Sequence, residues 1–302
     1  MSTSSVRQLR GRRGRASNPD AGTDDVLCYM DQGSFLGLRA LGRGPVLQLT
    51  WLYPHSIDEV ALREFGEQLA QGILGRLVQR SPLPWGRHRW VANLVPGPVT
   101  WFRDPLPEAN LAGSRHALLD LPVDPEYGPG WRLAVQPLKE GGCALTLLVS
   151  HTIADMRATS QAIVDAVAGR RIAPGFPAPS RRWSLQMLVR DSLESMRALP
   201  DFCRALSALT RRSRQGGLGL SRPSPSVGDR RNDLEPVADV PLVEVVMNAE
   251  TFLQYASHLR VESNALVLAF AARLAFRMGR LDASGRVKLV LPVSDRHPGD
   301  RR

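Results

Sequence analysis

The sequence predicts an α/β (α+β) protein in which a mixed sheet is flanked by helices. Three observations carry this. Val46–Tyr53, with Val, Leu, Thr, Trp and Tyr in one run, reads as a strand and is followed by a helical pattern. Two further apolar runs, 131–138 and 143–150, are separated by Lys139, Glu140, Gly141 and Gly142, which read as a hairpin turn, and again lead into a helix. A second strand-and-helix alternation begins near residue 240.

Taken in order, residues 1–25 are rich in Ser, Gly, Arg and Asp and form a basic tail expected to be disordered. After Val46–Tyr53, Ser56 and Asp58 offer cap chemistry for a helix reaching to about residue 79. Val60, Leu62, Phe65, Leu69, Ile73 and Leu77 recur close to the helical period. Short strands are expected around Trp90 and Val99, and another over 116–121. The segment 124–130, with two prolines and two glycines, is a loop. The run 143–150 is apolar nearly throughout, as in a strand buried on both faces. Met156, Ser160, Ile163, Val164 and Val167 then share one helical face up to Gly169.

Residues 26–175 therefore form a first half, and 176–239 a connector. Within it, 183–214 is an amphipathic helix containing Pro200, with arginines every seven residues at Arg190, Arg197, Arg204 and Arg211. That pattern fits a helix lying on the protein surface, or one lying at a membrane interface. Residues 240–302 hold a strand over 240–247, helices from Ala249 and over 263–278, and a strand over 287–293.

Composition excludes several classes. At 302 residues, with 43% hydrophobic and 23% charged, the chain is globular rather than fibrous or disordered. No apolar stretch approaches the ~20 residues of a membrane span, and the N-terminal arginines precede no apolar segment of a secretory signal. Cys28, Cys143 and Cys203 make neither a disulfide framework nor a metal site, so a cytoplasmic, metal-free protein is expected. The net charge is +10, yet only Lys139 and Lys288 of the 39 basic residues are lysine. Such a ratio reflects coding composition. The basic residues are not interleaved with aromatics, so no nucleic-acid partner is expected.

The chemistry centres on Ser150-His151-Thr152-Ile153-Ala154-Asp155. A His-x-x-x-Asp match arises by chance in about one chain in three of this composition, so spacing alone is weak. Its position is stronger: His151 ends a buried strand and Asp155 opens an amphipathic helix, where a carboxylate is favoured. An imidazole titrates near ~6.5 and can take a proton from an attacking hydroxyl or amine at physiological pH. The residues equally allow a histidine satisfied by backbone and an aspartate that merely caps its helix.

The segment 128–164 carries Gly-Pro-Gly-Trp-Arg-Leu-Ala-Val, the Gly-Gly hairpin, the Leu/Val-rich strand and Ser-His-Thr-Ile-Ala-Asp. It resembles the chloramphenicol acetyltransferase-like acyltransferase superfamily, which includes condensation domains and wax ester synthase/diacylglycerol acyltransferases. Asp31, Phe35, the stretch Leu291-Pro292-Val293-Ser294-Asp295-Arg296 and Gly299-Asp300 look most like the wax ester synthase branch, and the resemblance spans about residues 26–302. It implies a related second half and His151 as general base. It further implies Asp155 in a structural ion pair, with Arg296 as its candidate partner. No bound cofactor is implied. The co-substrate would be acyl-CoA or an acyl carrier thioester, the acceptor a lipid-related alcohol or an amine. A carrier protein and a peripheral membrane contact are further expected partners. Ser150 stands where many relatives have a second histidine, and Met156 where most have glycine. Family members continue past the equivalent of residue 302, so the resemblance implies a C-terminally truncated chain. The alternatives are an inactive lipid- or partner-binding relative and a carrier-protein-dependent condensation enzyme.

Overall fold

The computed structural model describes residues 25–42, 44–170, 175–179, 185–214, 247–282 and 284–291. The chain divides into two compact units, one essentially residues 1–219 and the other 220–300.

In the first unit the fold is α/β, with a mixed sheet flanked by helices. Strands β1 (Val46–Tyr53), β4 (Val99–Trp101), β5 (Trp131–Pro137) and β6 (Cys143–Ser150) form one sheet in the order β1-β6-β5-β4. β6 pairs antiparallel with β1 and β5, whereas β4 runs parallel to β5. Strands β2 (Arg76–Gln79) and β3 (Arg89–Ala92) make a separate antiparallel ribbon. β6 is buried at every position, as its unbroken apolar run requires.

Alternation along the strands divides the sheet into two faces. Leu133, Val135, Leu145, Leu147 and Val149 point to one side. They pack with Leu62 and Leu69 of α2 (Glu59–Ala70) and with Ala158, Ala162 and Ala166 of α4 (Met156–Val167). The small residues on α4 let it lie close to α2. The opposite face carries Ala134, Ala144 and Leu148 under Leu111 and Leu118 of the short helix α3 (Leu111–Leu118). The hairpin between β5 and β6 turns through Gly141 and Gly142, both at positive φ. At Gly142 a Cβ would sit 2.0 Å from the Tyr53 carbonyl oxygen, so only glycine fits.

Three sequence expectations need correction. The helix after Asp58 ends at Ala70 rather than near residue 79, and Leu77 lies on β2. Gly75 causes the break: a Cβ there would meet the Ala70 carbonyl oxygen at 1.8 Å, so the chain reverses within a few residues. Residues 116–121 are not a strand. Leu111 and Leu118, seven residues apart, are the buried positions of α3. Finally, α1 (Tyr29–Leu41) was not anticipated, because Gly33 and Gly37 weaken its helical pattern and only Phe35 is buried.

α1 is tied to the 124–130 loop by Arg39, which donates two hydrogen bonds to Asp124, at 2.8 and 2.6 Å. Glu126 lies 3.0 Å from Arg39 and 2.8 Å from Arg80. Burial opposes the Asp124 charge. The Arg39 bonds and the backbone N–H groups of Tyr127 and Glu126 outweigh it, holding the carboxyl below its ordinary range. A lowered folded pKa stabilises above the unfolded value and is lost as pH falls through it. Urea midpoints should therefore drop as pH falls below about 4. Asp124→Asn should flatten that drop, while lowering stability at neutral pH.

The connector helix is α5 (Leu185–Arg214), with Pro200 inside it. Its N-terminal half docks through Met187, Asp191 and Glu194, whereas Leu185, Val189, Leu193, Met196 and Leu199 are exposed. Asp191 meets Arg89 of β3 at 2.6 Å, and Arg89 also reaches Asp25 at 3.3 Å and Glu194 at 2.9 Å. Burial opposes the Arg89 charge, but these three carboxylates hold its pKa above the ordinary value.

In the second unit the described residues form α6 (Ala249–His258) and α7 (Ser263–Arg277), as the sequence predicts. Asn248 caps α6 by accepting from the Thr251 N–H at 3.0 Å. Most of the strand expected over 240–247 and the end of that over 287–293 lie outside the described residues, as do the basic tail, Arg211 (side chain) and Arg296. Residues 287–291 are in no strand. Among the described residues, no helix is long and apolar enough to cross a membrane.

Candidate active site

The His-x-x-x-Asp segment forms the turn between β6 and α4. Ser150 still belongs to the sheet, and its N–H donates to the Gly130 carbonyl at 3.0 Å. His151 leaves it, anchored by its backbone N–H on the Pro45 carbonyl at 2.9 Å. The chain then tightens, with the Ile153 N–H returning to the Ser150 carbonyl at 2.8 Å. Asp155 is the N-cap of α4 and accepts from the Ala158 N–H at 2.8 Å. That bond satisfies one of the otherwise unpaired amides of the first helical turn.

Two side chains of the turn point inward and fix it. Ile153 is fully buried, and its branches nearly touch Gly130, where a Cβ would stand 3.1 Å from Cγ1. Thr152 is buried with its hydroxyl 3.5 Å from that of Ser34 on α1. The third support comes from Arg76, at the start of β2. Its guanidinium donates from Nε at 3.0 Å and from a terminal nitrogen to the Ile153 carbonyl. Arg76 is itself buried, with its charge 3.8 Å from the centre of the Trp90 ring and 5.3 Å from that of Phe176.

His151 is the exception in this packed turn. It is exposed, and its ring makes no hydrogen bond to any described residue. Met156, immediately after the cap, is 47% exposed beside it in sequence. The arrangement presents one imidazole to solvent from a backbone that cannot readily move. Among the described residues, no group of three or more His, Cys, Asp or Glu could hold a metal ion.

Asp155 and His151 thus sit on one turn, as their spacing suggests. Arg296, the expected partner of Asp155, lies outside the described residues. The arginine that the fold does bring to the turn is Arg76 of the first half, bonded to a carbonyl 77 residues away in sequence. Sequence reasoning did not single it out. A charged residue next to Gly75, between the apolar pairs Ile73-Leu74 and Leu77-Val78, was the available signal.

Gly75 makes this support vulnerable. A methyl group there collides with backbone, which no rotamer change can relieve. Gly75→Ala should cost about 3 kcal/mol, measured by chemical denaturation. The Trp90 fluorescence should shift as Arg76 leaves its ring.

No family model matches the chain, and no curated protein matches it. Solved structures do resemble part of it. The X-domain from teicoplanin biosynthesis is 18% identical with a TM-score of 0.40, covering 60% of this chain and 40% of that one. The starter condensation domain of the rhizomide synthetase RzmA is 14% identical with a TM-score of 0.40, covering 56% of this chain and 45% of that one. The tallysomycin biosynthesis protein TlmII is 19% identical with a TM-score of 0.38, covering 49% and 36%. The chain spans less than half the length of each.

Proposed function

We propose that this chain carries the histidine-bearing half of an acyl-transfer site. In it His151 accepts the proton of an acceptor hydroxyl or amine. The acceptor oxygen or nitrogen attacks a thioester carbonyl, forming a C–O or C–N bond, and the C–S bond breaks with departure of the thiolate. Asp155 and Arg76 hold the turn and do not touch the reacting atoms. The donor is an acyl thioester, borne by CoA or by the phosphopantetheine arm of a carrier protein. Acceptors to test include long-chain alcohols and diacylglycerol, for the lipid-directed form of the reading, and amines. The row of exposed apolar residues on α5, beside Arg190, Arg197 and Arg204, suits presentation of a lipid acceptor in anionic vesicles.

One observation carries the reading: an accessible imidazole that bonds to no described residue, on a turn held at Thr152, Ile153 and Asp155. The test is thiol release from palmitoyl-CoA and from a palmitoylated carrier protein, with each acceptor in turn. Release that needs His151 and survives Arg63→Ala supports the proposal. If no donor–acceptor pair gives release above buffer, the chain is an inert binding relative.

A further inference from the structure

Arg132 is a charge placed where the fold gives it nothing to bind. It lies on β5 opposite Leu148 of β6, on the sheet face covered by α3. Only 9% of the residue is exposed, and its Nε is sealed from solvent with no hydrogen-bond partner. No ion pair or ring contact involves it among the described residues. Around it, Leu148 and Ala134 belong to an apolar cluster with Leu118, Leu121 and Val123.

Several other polar groups of this face are provided for. Gln48, in register with Leu148 on β1, donates to the Arg115 carbonyl at 2.8 Å. Thr50 and Thr146 share a hydrogen bond of 2.9 Å, and Gln136 donates to the Asp104 and Pro137 carbonyls. Burying a guanidinium without an anion is costly, and burial alone pulls its pKa down. Arg132 is the strongest polar group of this face, and no described residue supplies its counter-charge.

We infer that Arg132 is an oxyanion-binding residue, taking a carboxylate or phosphate through its planar fork of N–H donors. By strand geometry its Cα lies about 11 Å from that of His151: one cross-strand step to Leu148 and three residues along β6. By alternation Arg132 shares the α3 face with Ala134 and Leu148, opposite the face of Leu147 and Val149 that leads to His151, so the anion site is separate from the imidazole.

Thermal melts of the full chain in a fixed sodium chloride background, with a few millimolar of the chloride replaced by acetate or phosphate, test this, because at that level the general stabilising effect of excluded salts is negligible. Wild type should melt higher in acetate or phosphate than in chloride, and whichever salt gives the shift identifies the preferred oxyanion. Arg132→Met should melt higher than wild type in chloride, because an uncompensated charge is gone, and should lose the anion response. His151→Ala should keep the response, which separates this site from the catalytic proposal. Equal wild-type midpoints in all three salts, or an Arg132→Met variant that still responds, would overturn the inference.

Discussion

His151→Ala should lower thiol release by a factor of 10²–10⁴ and leave the melting temperature unchanged within error. The first half follows from the usual contribution of a positioned general base. The second follows from the structure, since the ring is exposed and bonds to no described residue, so its loss opens no cavity and orphans no partner. Asp155→Ala provides the contrast. It removes the α4 cap on the Ala158 N–H and should cost about 1 kcal/mol of stability. A histidine variant that loses stability, or one that keeps full turnover, would show that the imidazole is a structural group. The pair of variants is informative because the two side chains sit four residues apart with opposite expected signatures.

The largest effect on stability is expected at Arg89. Its side chain is 4% exposed and lies among Asp25, Asp191 and Glu194, with side-chain exposures of 5%, 1% and 25%. Asp191 also accepts from the Ser81 hydroxyl at 2.5 Å. Arg89→Met leaves Asp191 buried without its ion-pair partner, while Asp25 keeps Arg190 and the quarter-exposed Glu194 keeps Arg87. Removing one member of a buried pair costs about 3–5 kcal/mol. For a unit of this size that is a fall in melting temperature of roughly 10 °C. Arg63→Met, which removes an exposed pair with Glu59, should change little. Because the cluster joins β3 to α5, protease cleavage within α5 should accelerate in the Arg89 variant before the sheet itself unfolds.

How much of this was legible beforehand differs by element. β5, β6 and the position of α4 were readable because each announces itself locally, but the buried face of α4 is Ala158, Thr159, Ala162 and Ala166, whereas Met156, Ser160, Val164 and Val167 of the expected face are exposed. An apolar run, two glycines that only a tight turn accepts and an amphipathic stretch follow in immediate succession. The α2–β2 boundary was not, because Ile73 and Leu77 extend the helical period past the point where Gly75 has already reversed the chain. α3 was hidden by a short apolar run around Leu118 and Leu119 that suits either a strand or a helix. Within the site, His151 and Asp155 share one turn and could be found by spacing. Arg76, Gly130 and Ser34 come from distant parts of the chain, and only the packed turn reveals what they support. Arg132 had a local mark, a cation inside an otherwise apolar strand, whose meaning depends on its having no partner.

Among the described residues β1 ends the sheet, pairing with β6 on one side only. Its eight residues, Val-Leu-Gln-Leu-Thr-Trp-Leu-Tyr, include no proline, lysine or arginine of the kind that discourages lateral pairing. The outer row of amides and carbonyls is a ready template for another extended peptide. At high concentration the chain should therefore associate edge to edge. The repulsion of its surplus arginines is the main force opposing that growth, so added salt should favour it.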